Sequence, residues 1–372
     1  MNTDETSSGG TLIADTSGRT VNTGFGYGAE GYGDYGYSGF YEGSLTLSWS
    51  TTTDGRMQHS TPGVGQQSVF FAGLGSTVFA VDTEDGDLVW EFDRSGLLSD
   101  SSPTVHDGTV FIGSGGGTIY ALDTADGSVQ WTVDTDSAIV STPTVSDGNV
   151  YVGSNDGALR SLTTDGTVQW TAHLDAPVFA QPAVDSKRVY VTTHGGDIVA
   201  IEQDGGEEIW RYSTGTQFQD SSPVVDDGVV YVAGAVIHAI DATASAREGQ
   251  AVLRWQREDF GGTVNSTPLV AADRLYVGSL DSRVYALDTS EDGTLLWTHQ
   301  MESAVVTDPA MYGGRLVVAS LDGTVALIDV DSGLESGSTV IDASVRSSPA
   351  VYDEKICLPT EAGFVVTLTT SG

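Results

Sequence analysis

The sequence predicts an all-β protein: an eight-bladed β-propeller of four-stranded antiparallel blades. Three observations predict it. First, eight prolines, Pro62, Pro103, Pro143, Pro182, Pro223, Pro268, Pro309 and Pro349, recur at intervals of 39 to 45 residues. Second, all seven tryptophans, Trp49, Trp90, Trp131, Trp170, Trp210, Trp255 and Trp297, keep the same frame, each 12 or 13 residues ahead of the next of these prolines. Third, Gly-containing turn signals divide each unit into four short β-prone runs. Periods near forty residues are the mark of repeat architectures.

One unit shows how each element arises. Pro103-Thr-Val is a short strand, and Asp107-Gly108 is a tight hairpin signal. Val110-Phe-Ile is the second strand, and Gly115-Gly-Gly turns the chain again. Thr118-Ile-Tyr-Ala-Leu is the third, Asp126-Gly127 the next turn, and Ser128 to Trp131 the fourth. A lone four-stranded sheet exposes both faces and is unstable, but radial stacking buries each face on a neighbour. A large flat Trp near each fourth strand suits the gap between blades, so all seven are assigned an inter-blade structural role. The eighth Trp position holds Gly337.

The last unit runs out after its third strand, Phe364 to Leu368, and Leu45-Thr-Leu-Ser-Trp49 has no strands of its own ahead of it. The N-terminal segment therefore supplies the fourth strand of the last blade and closes the ring. The propeller spans 44–372. Deleting 1–43 is expected to leave stability nearly unchanged, whereas deleting 1–50 removes a buried Trp and bares a sheet edge. That loss should be about 3–5 kcal/mol by denaturant titration. Equal stability of the two truncations would refute the closure.

Residues 1–43 read as a disordered tail, alternating Gly with Phe25, Tyr27, Tyr32, Tyr35, Tyr37, Phe40 and Tyr41. The GxGxxG in it, Gly26 to Gly31, has no strand before it or helix after it and is not a dinucleotide site.

Composition bounds function. With 15 Lys+Arg against 51 Asp+Glu, the formal charge is −36, which repels nucleic acid and anionic membranes. Only two of the cations are lysines, Lys187 and Lys355. Such acidic, Lys-poor composition resembles that of proteins from salt-loving microbes. Screening of self-repulsion then predicts a melting temperature that climbs between 0.1 and 2 M KCl, as the Debye length falls below ~10 Å; a flat profile would defeat that reading. A single cysteine, Cys357, excludes an intramolecular disulfide. No apolar run is long enough for a transmembrane helix, and a monomer is expected. The residues from Met1 show neither the basic nor the apolar region of a signal peptide, and a signal removed ahead of them stays open. Location is left open between the cytoplasm and the cell surface.

The stretches Ala121-Leu-Asp-Thr-Ala-Asp-Gly-Ser-Val-Gln-Trp131, Ala80-Val-Asp-Thr-Glu-Asp-Gly-Asp-Leu-Val-Trp90 and Ala286 to Trp297 resemble the repeat of the pyrroloquinoline-quinone (PQQ) type propellers. The resemblance spans 44–372. It implies one of two functions, a PQQ- and calcium-dependent dehydrogenase or a cofactor-free scaffold of the BamB-like branch, and a halophilic archaeal source. The alcohol-oxidising members stack the quinone on a disulfide of adjacent cysteines, which a chain with Cys357 alone cannot form. Their pockets also need long insertions, and the largest irregularity here is Ala242 to Gly249. The expectation is a binding scaffold without PQQ or calcium, and without catalytic residues; a degenerate quinoprotein is the alternative.

No nucleophile motif is present, and the six histidines keep no ligand spacing. Asp329, Asp331 and Glu335 gather carboxylates in one hairpin, but Asp-Gly is ordinary turn chemistry. No metal site is assigned. Asn265-Ser-Thr matches a glycosylation sequon, set aside because Pro268 follows in a tight segment.

The site argument uses variation within a fixed frame. Three residues before each proline stand His59, Asp100, Val140, Phe179, Asp220, Asn265, Val306 and Arg346, while neighbouring positions stay Ser, Thr and Pro. Scaffold positions repeat and recognition positions diverge. A rim for a protein or small-ligand partner is therefore assigned to Arg56, His59, Asp100, Phe179, Gln181, Gln217, Gln219, Asp220, Asn265, Asp308 and Arg346.

Overall fold

A computed structural model describes residues 45–53, 60–73, 77–93, 101–218, 221–290 and 292–370. The Gly/Tyr-rich segment 1–43 lies outside them. Among the described residues are 32 strands and one helix. The strands form eight four-stranded antiparallel sheets. Blades 1 to 7 are consecutive meanders, at 63–93, 104–134, 144–173, 183–213, 224–257, 269–300 and 310–340. Blade 8 is closed by the N-terminal strand. Leu45–Thr52 pairs with Phe364–Thr370, which pairs with Lys355–Pro359 and then Ala350–Tyr352. First strands of neighbouring blades approach one another around the ring.

Turn chemistry produces the meanders. In the first hairpins Asp107, Asp147 and Asp227 have φ of 44°, 49° and 43°, and the glycine after each is also positive. Two successive left-handed residues match the twist of the flanking strands. Middle strands are buried on both faces, as in Thr109–Gly113, while outer strands such as Val129–Asp134 are largely exposed. Eight hydrophobic clusters result, one at each junction between blades.

Each Trp sits beside a register shift in its outer strand, as at Ala121/Leu122 opposite Trp131. Such a bulge re-aims the side chain. The indole N–H then crosses to the next blade. Trp49 donates to the Thr83 carbonyl (3.1 Å), Trp90 to Thr124 (3.0 Å), Trp131 to Thr164 (2.9 Å), Trp170 to Gln203 (2.8 Å) and Trp297 to Val330 (3.0 Å). The faces of these rings lie against Gly86, Gly127, Gly166, Gly206 and Gly333 of those same turns. Trp210 and Trp255 find no acceptor among the described residues. Both face irregular turns: α1 (Ala242–Glu248) replaces the turn opposite Trp210, and the turn after Asp288 carries an extra residue opposite Trp255.

The short helix is the one departure from an all-β chain. It is local in origin. The Asp241 carboxylate caps the Ala244 N–H at 2.7 Å, and Gly249 ends the helix at φ 69°. At junction 7/8 Gly337 stands where Trp is absent, and the volume is made up elsewhere. Leu327 pairs with Gly337 where Ala80 or Ala286 faces a Trp, and Tyr312, Leu45 and Leu47 fill the cluster. The seam at 8/1 is tied by the Thr83 carbonyl, which also accepts from Lys355 Nζ at 2.7 Å.

Candidate binding face at the channel mouth

The two faces of the ring differ in what builds them. On one face the second turn of each blade meets the segment leading to the next blade, as in Ile139 N–H to Ser114 O and Val178 N–H to Ser154 O. The first and third turns meet on the opposite face, as in Thr124 N–H to Gly108 O. The α1 insert and the Asp329–Glu335 hairpin belong to that opposite face. There Asp329 Oδ1 accepts from Ser332 N (2.8 Å) and Ser332 Oγ (2.7 Å), which lowers its carboxyl below the usual range. Asp331 Oδ1 lies 2.5 Å from Arg274 Nη1, and Glu335 Oε1 accepts from Ser338 Oγ at 2.6 Å. These carboxylates are engaged by the protein's own donors. Among the described residues no group of three or more His, Cys, Asp or Glu is arranged to hold a metal.

On the first face, repeating Ser and Thr positions lock the centre. Ser60, Ser101, Ser141, Ser266 and Thr307 are fully or almost fully buried. Ser101 Oγ accepts the Gly113 N–H at 3.0 Å and donates to the Ser141 carbonyl of the next blade at 3.1 Å. One residue on, backbone N–H groups donate from blade to blade. Thr61 reaches Ser102 Oγ (2.9 Å), Ser102 reaches Thr142 Oγ1 (3.1 Å), Gln181 reaches Ser222 Oγ (3.0 Å) and Ser222 reaches Thr267 Oγ1 (3.2 Å). Thr267 reaches Asp308 Oδ1 (2.6 Å), and Asp308 reaches Ser348 Oγ (2.8 Å). Short side chains with one acceptor oxygen suit this chain of bonds, which explains why those positions repeat. Ser347 Oγ lacks a partner among the described residues. The second strand of its blade ends in Pro359, which has no N–H to offer.

Above this ring opens a cavity of about 390 Å³ at the channel mouth. Phe179, Gln181, Asn265, Asp308 and Arg346 line it together, with Val140 and Val306. Gln217 lines a neighbouring cavity that shares Asn265. Arg56, His59, Asp100, Gln219 and Asp220 lie outside the described residues. Within the group, roles separate. The Asp308 carboxylate and the Gln181 backbone belong to the locking chain of bonds. Arg346 Nε lies 2.8 Å from Glu361 Oε1, so its charge is partly met within the protein. The Phe179 ring leans on His194 at 5.0 Å, whose Nδ1 lies 3.2 Å from the Phe218 carbonyl.

Groups with strongly displaced titration lie away from the mouth lining. Burial raises the Asp156 carboxyl, but hydrogen bonds from Arg160 and Ser154 outweigh it and bring it down to about 2. Burial lowers the His238 imidazole to about 4 and pushes the Cys357 thiol up to about 12. Among the described residues the charged groups of the mouth are Arg346, already on Glu361, and Asp308, and Cys357 is buried inside blade 8. What the face can do is hold a partially apolar, uncharged group by contact and by the amides of Asn265 and Gln181.

The family profile described as outer membrane protein assembly factor BamB matches residues 43–106, 97–290 and 233–372. BamB of Salmonella typhimurium strain LT2 is 35% identical over 153 residues, covering 40% of this chain and 37% of that protein. The match thus spans less than half the length of that relative. The solved structure of BamB from Moraxella catarrhalis superposes with a TM-score of 0.70 at 20% identity, covering 87% of this chain and 97% of that one. The quinohemoprotein alcohol dehydrogenase of Comamonas testosteroni reaches 0.71 at 14% identity, covering 87% of this chain and 76% of that one, a likeness of fold alone. Among the described residues no helix is long and apolar enough to cross a membrane. With the profile matched along the whole propeller, the chain belongs to the family described as outer membrane protein assembly factor BamB.

Proposed function

We propose that this protein is a non-catalytic scaffold that receives a protein partner on the channel-mouth face, and that it works outside the cytoplasm, as relatives described as outer membrane protein assembly factors suggest. One observation carries the reading: side chains at the divergent repeat position, Val140, Phe179, Asn265, Val306 and Arg346, converge on a single cavity mouth. The repeating positions beside them are consumed in locking the ring. Variation has been concentrated where a partner can touch it, on a rigid base, which is the usual disposition of binding residues. The relatives named as assembly factors support a protein as that partner.

A photo-crosslinking residue at position 306 tests this in cells, with one at the exposed position 126 of the opposite face as reference. The expected result is a discrete adduct from 306 and none from 126. Equal labelling from both faces would remove the reading. Turnover of alcohols on adding PQQ and Ca²⁺ would replace it with the dehydrogenase alternative.

A further inference from the structure

Blade 5 breaks the pattern on the mouth-bearing face. In blades 1, 2, 6 and 7 a buried hydroxyl anchors the end of the second strand, as Ser266 Oγ does for the Gly278 N–H at 2.8 Å. Ser221 holds that place in blade 5. It is 3% exposed, yet its Oγ has no partner among the described residues. The following turn is also shorter by two residues, since Val232 pairs with His238 where the equivalent Ile112 pairs with Tyr120. That turn, Gly234-Ala235-Val236, has no charge, whereas Asp156, Asp281, Asp322 and Glu361 occupy other blades' turns.

The short turn leaves a cavity of about 310 Å³ between blades 5 and 6. Phe218, Val264 and Leu280 are its large apolar walls, and Gln217, Thr263 and Asn265 its polar ones. Among the described residues no charged side chain lines it, in a protein of net charge −36. Leu280 at its edge is 44% exposed, whereas Leu88, Val129 and Leu295 are exposed at the start of outer strands, beside the opposite face. A recess whose described lining is uncharged and mixes polar and apolar groups, with a bare leucine at its lip, next to a binding mouth, has the make-up of an anchor pocket for one apolar side chain. Its volume is at the bottom of the range for small-molecule sites and suits one or two large side chains. The surrounding negative field attracts cationic segments and orients them on approach.

We propose that this cavity receives an apolar side chain from a partner segment with basic flanks, and that Asn265, which lines both cavities, joins this anchor to the mouth. The proposal rests on the scaffold reading and adds the chemistry of the partner. The full chain is titrated, by fluorescence anisotropy, with short synthetic peptides carrying a central leucine between lysines. Further peptides place that leucine between glutamates, or replace it by aspartate. The lysine–leucine peptide should bind, and Leu280→Ser and Thr263→Trp should each weaken it about tenfold or more. Both positions are exposed, so neither change should disturb folding, and Leu334→Ser on the opposite face should change nothing. Equal binding of the glutamate-flanked or aspartate-centred peptide would overturn the proposal. So would a shift of oligomeric state on Leu280→Ser, which would make a second copy the occupant. Loss of binding on Phe179→Ala but not on Leu280→Ser would overturn this anchor and leave the scaffold reading standing. Absence of peptide binding beside a discrete adduct from position 306 would do the same.

Discussion

Gly86→Ala is expected to destabilise the protein by about 2–5 kcal/mol, and Gly148→Ala by about 1–2 kcal/mol. Both glycines are left-handed, at φ 78° and 77°, so alanine meets the same backbone penalty of about 1–2 kcal/mol at either. Only their surroundings differ. A Cβ on Gly86 would lie 2.4 Å from Trp49 Cε3, whereas on Gly148 it would meet nothing within 4 Å. Trp49 cannot slide away freely, because its indole N–H is held by the Thr83 carbonyl in that same turn. Overpacking therefore adds about 1–3 kcal/mol at the seam where the two ends of the propeller meet. Urea titration of the two variants measures the difference. Equal losses would mean that the Trp–Gly stack does not constrain the closure.

Stability is expected to fall by about 3 kcal/mol as pH drops from 6.5 to 4, and His238→Phe is expected to abolish most of that slope. His238 is 4% exposed, its Nδ1 has no partner among the described residues, and the Tyr212 ring stands edge-on to it at 5.5 Å. Burial lowers its imidazole to about 4 from the usual 6.5. The unfolded chain binds a proton in that interval and the folded chain does not. The contribution is complete above pH 6.5 and is lost as pH falls to 4, at 1.36 kcal/mol per pH unit. Phenylalanine suits the position, since Tyr120 and Tyr285 occupy the equivalent place in blades 2 and 6. Asp156 acts in a separate window. With its carboxyl at about 2, its contribution is present above pH 3.8 and is lost below it. A pH profile unchanged by His238→Phe would assign the acid sensitivity to carboxylates instead.

The repeat was legible because the same physical task recurs in every blade. In blades 1 to 4, 6 and 7 the third turn carries a left-handed glycine, and that glycine is the flat surface on which the preceding Trp rests, so the two residues keep a common period. Closure by Leu45 to Trp49 was legible for the same reason, as a Trp without a blade and a blade without a Trp. The channel-mouth position was legible in part. Phe179, Asn265 and Arg346 diverge in sequence and meet in space. Gln181 and Asp308 also differ from their Ser and Thr counterparts, yet both stand in the locking chain: the Asp308 carboxylate accepts the bond that a hydroxyl accepts elsewhere, and Gln181 donates through its backbone N–H. Identity at a single position does not reveal whether a side chain is spent on its neighbour.

The sequence alone determined the elements that depend on a few adjacent residues: the left-handed Asp-Gly hairpins, the four strands per unit, the count of eight and the strand that closes the ring. Tertiary structure alone decided the rest. The bulge beside each Trp, the exchange of Trp for Gly337 against Leu327 and Tyr312, the missing anchor at Ser221 and the cavity under Leu280 each depend on a residue in another strand or on the length of a neighbouring turn. The physical reason is reach. Backbone dihedrals are chosen within a turn, whereas a buried hydroxyl or a void takes its meaning from whatever the adjacent blade places within about 3–4 Å of it.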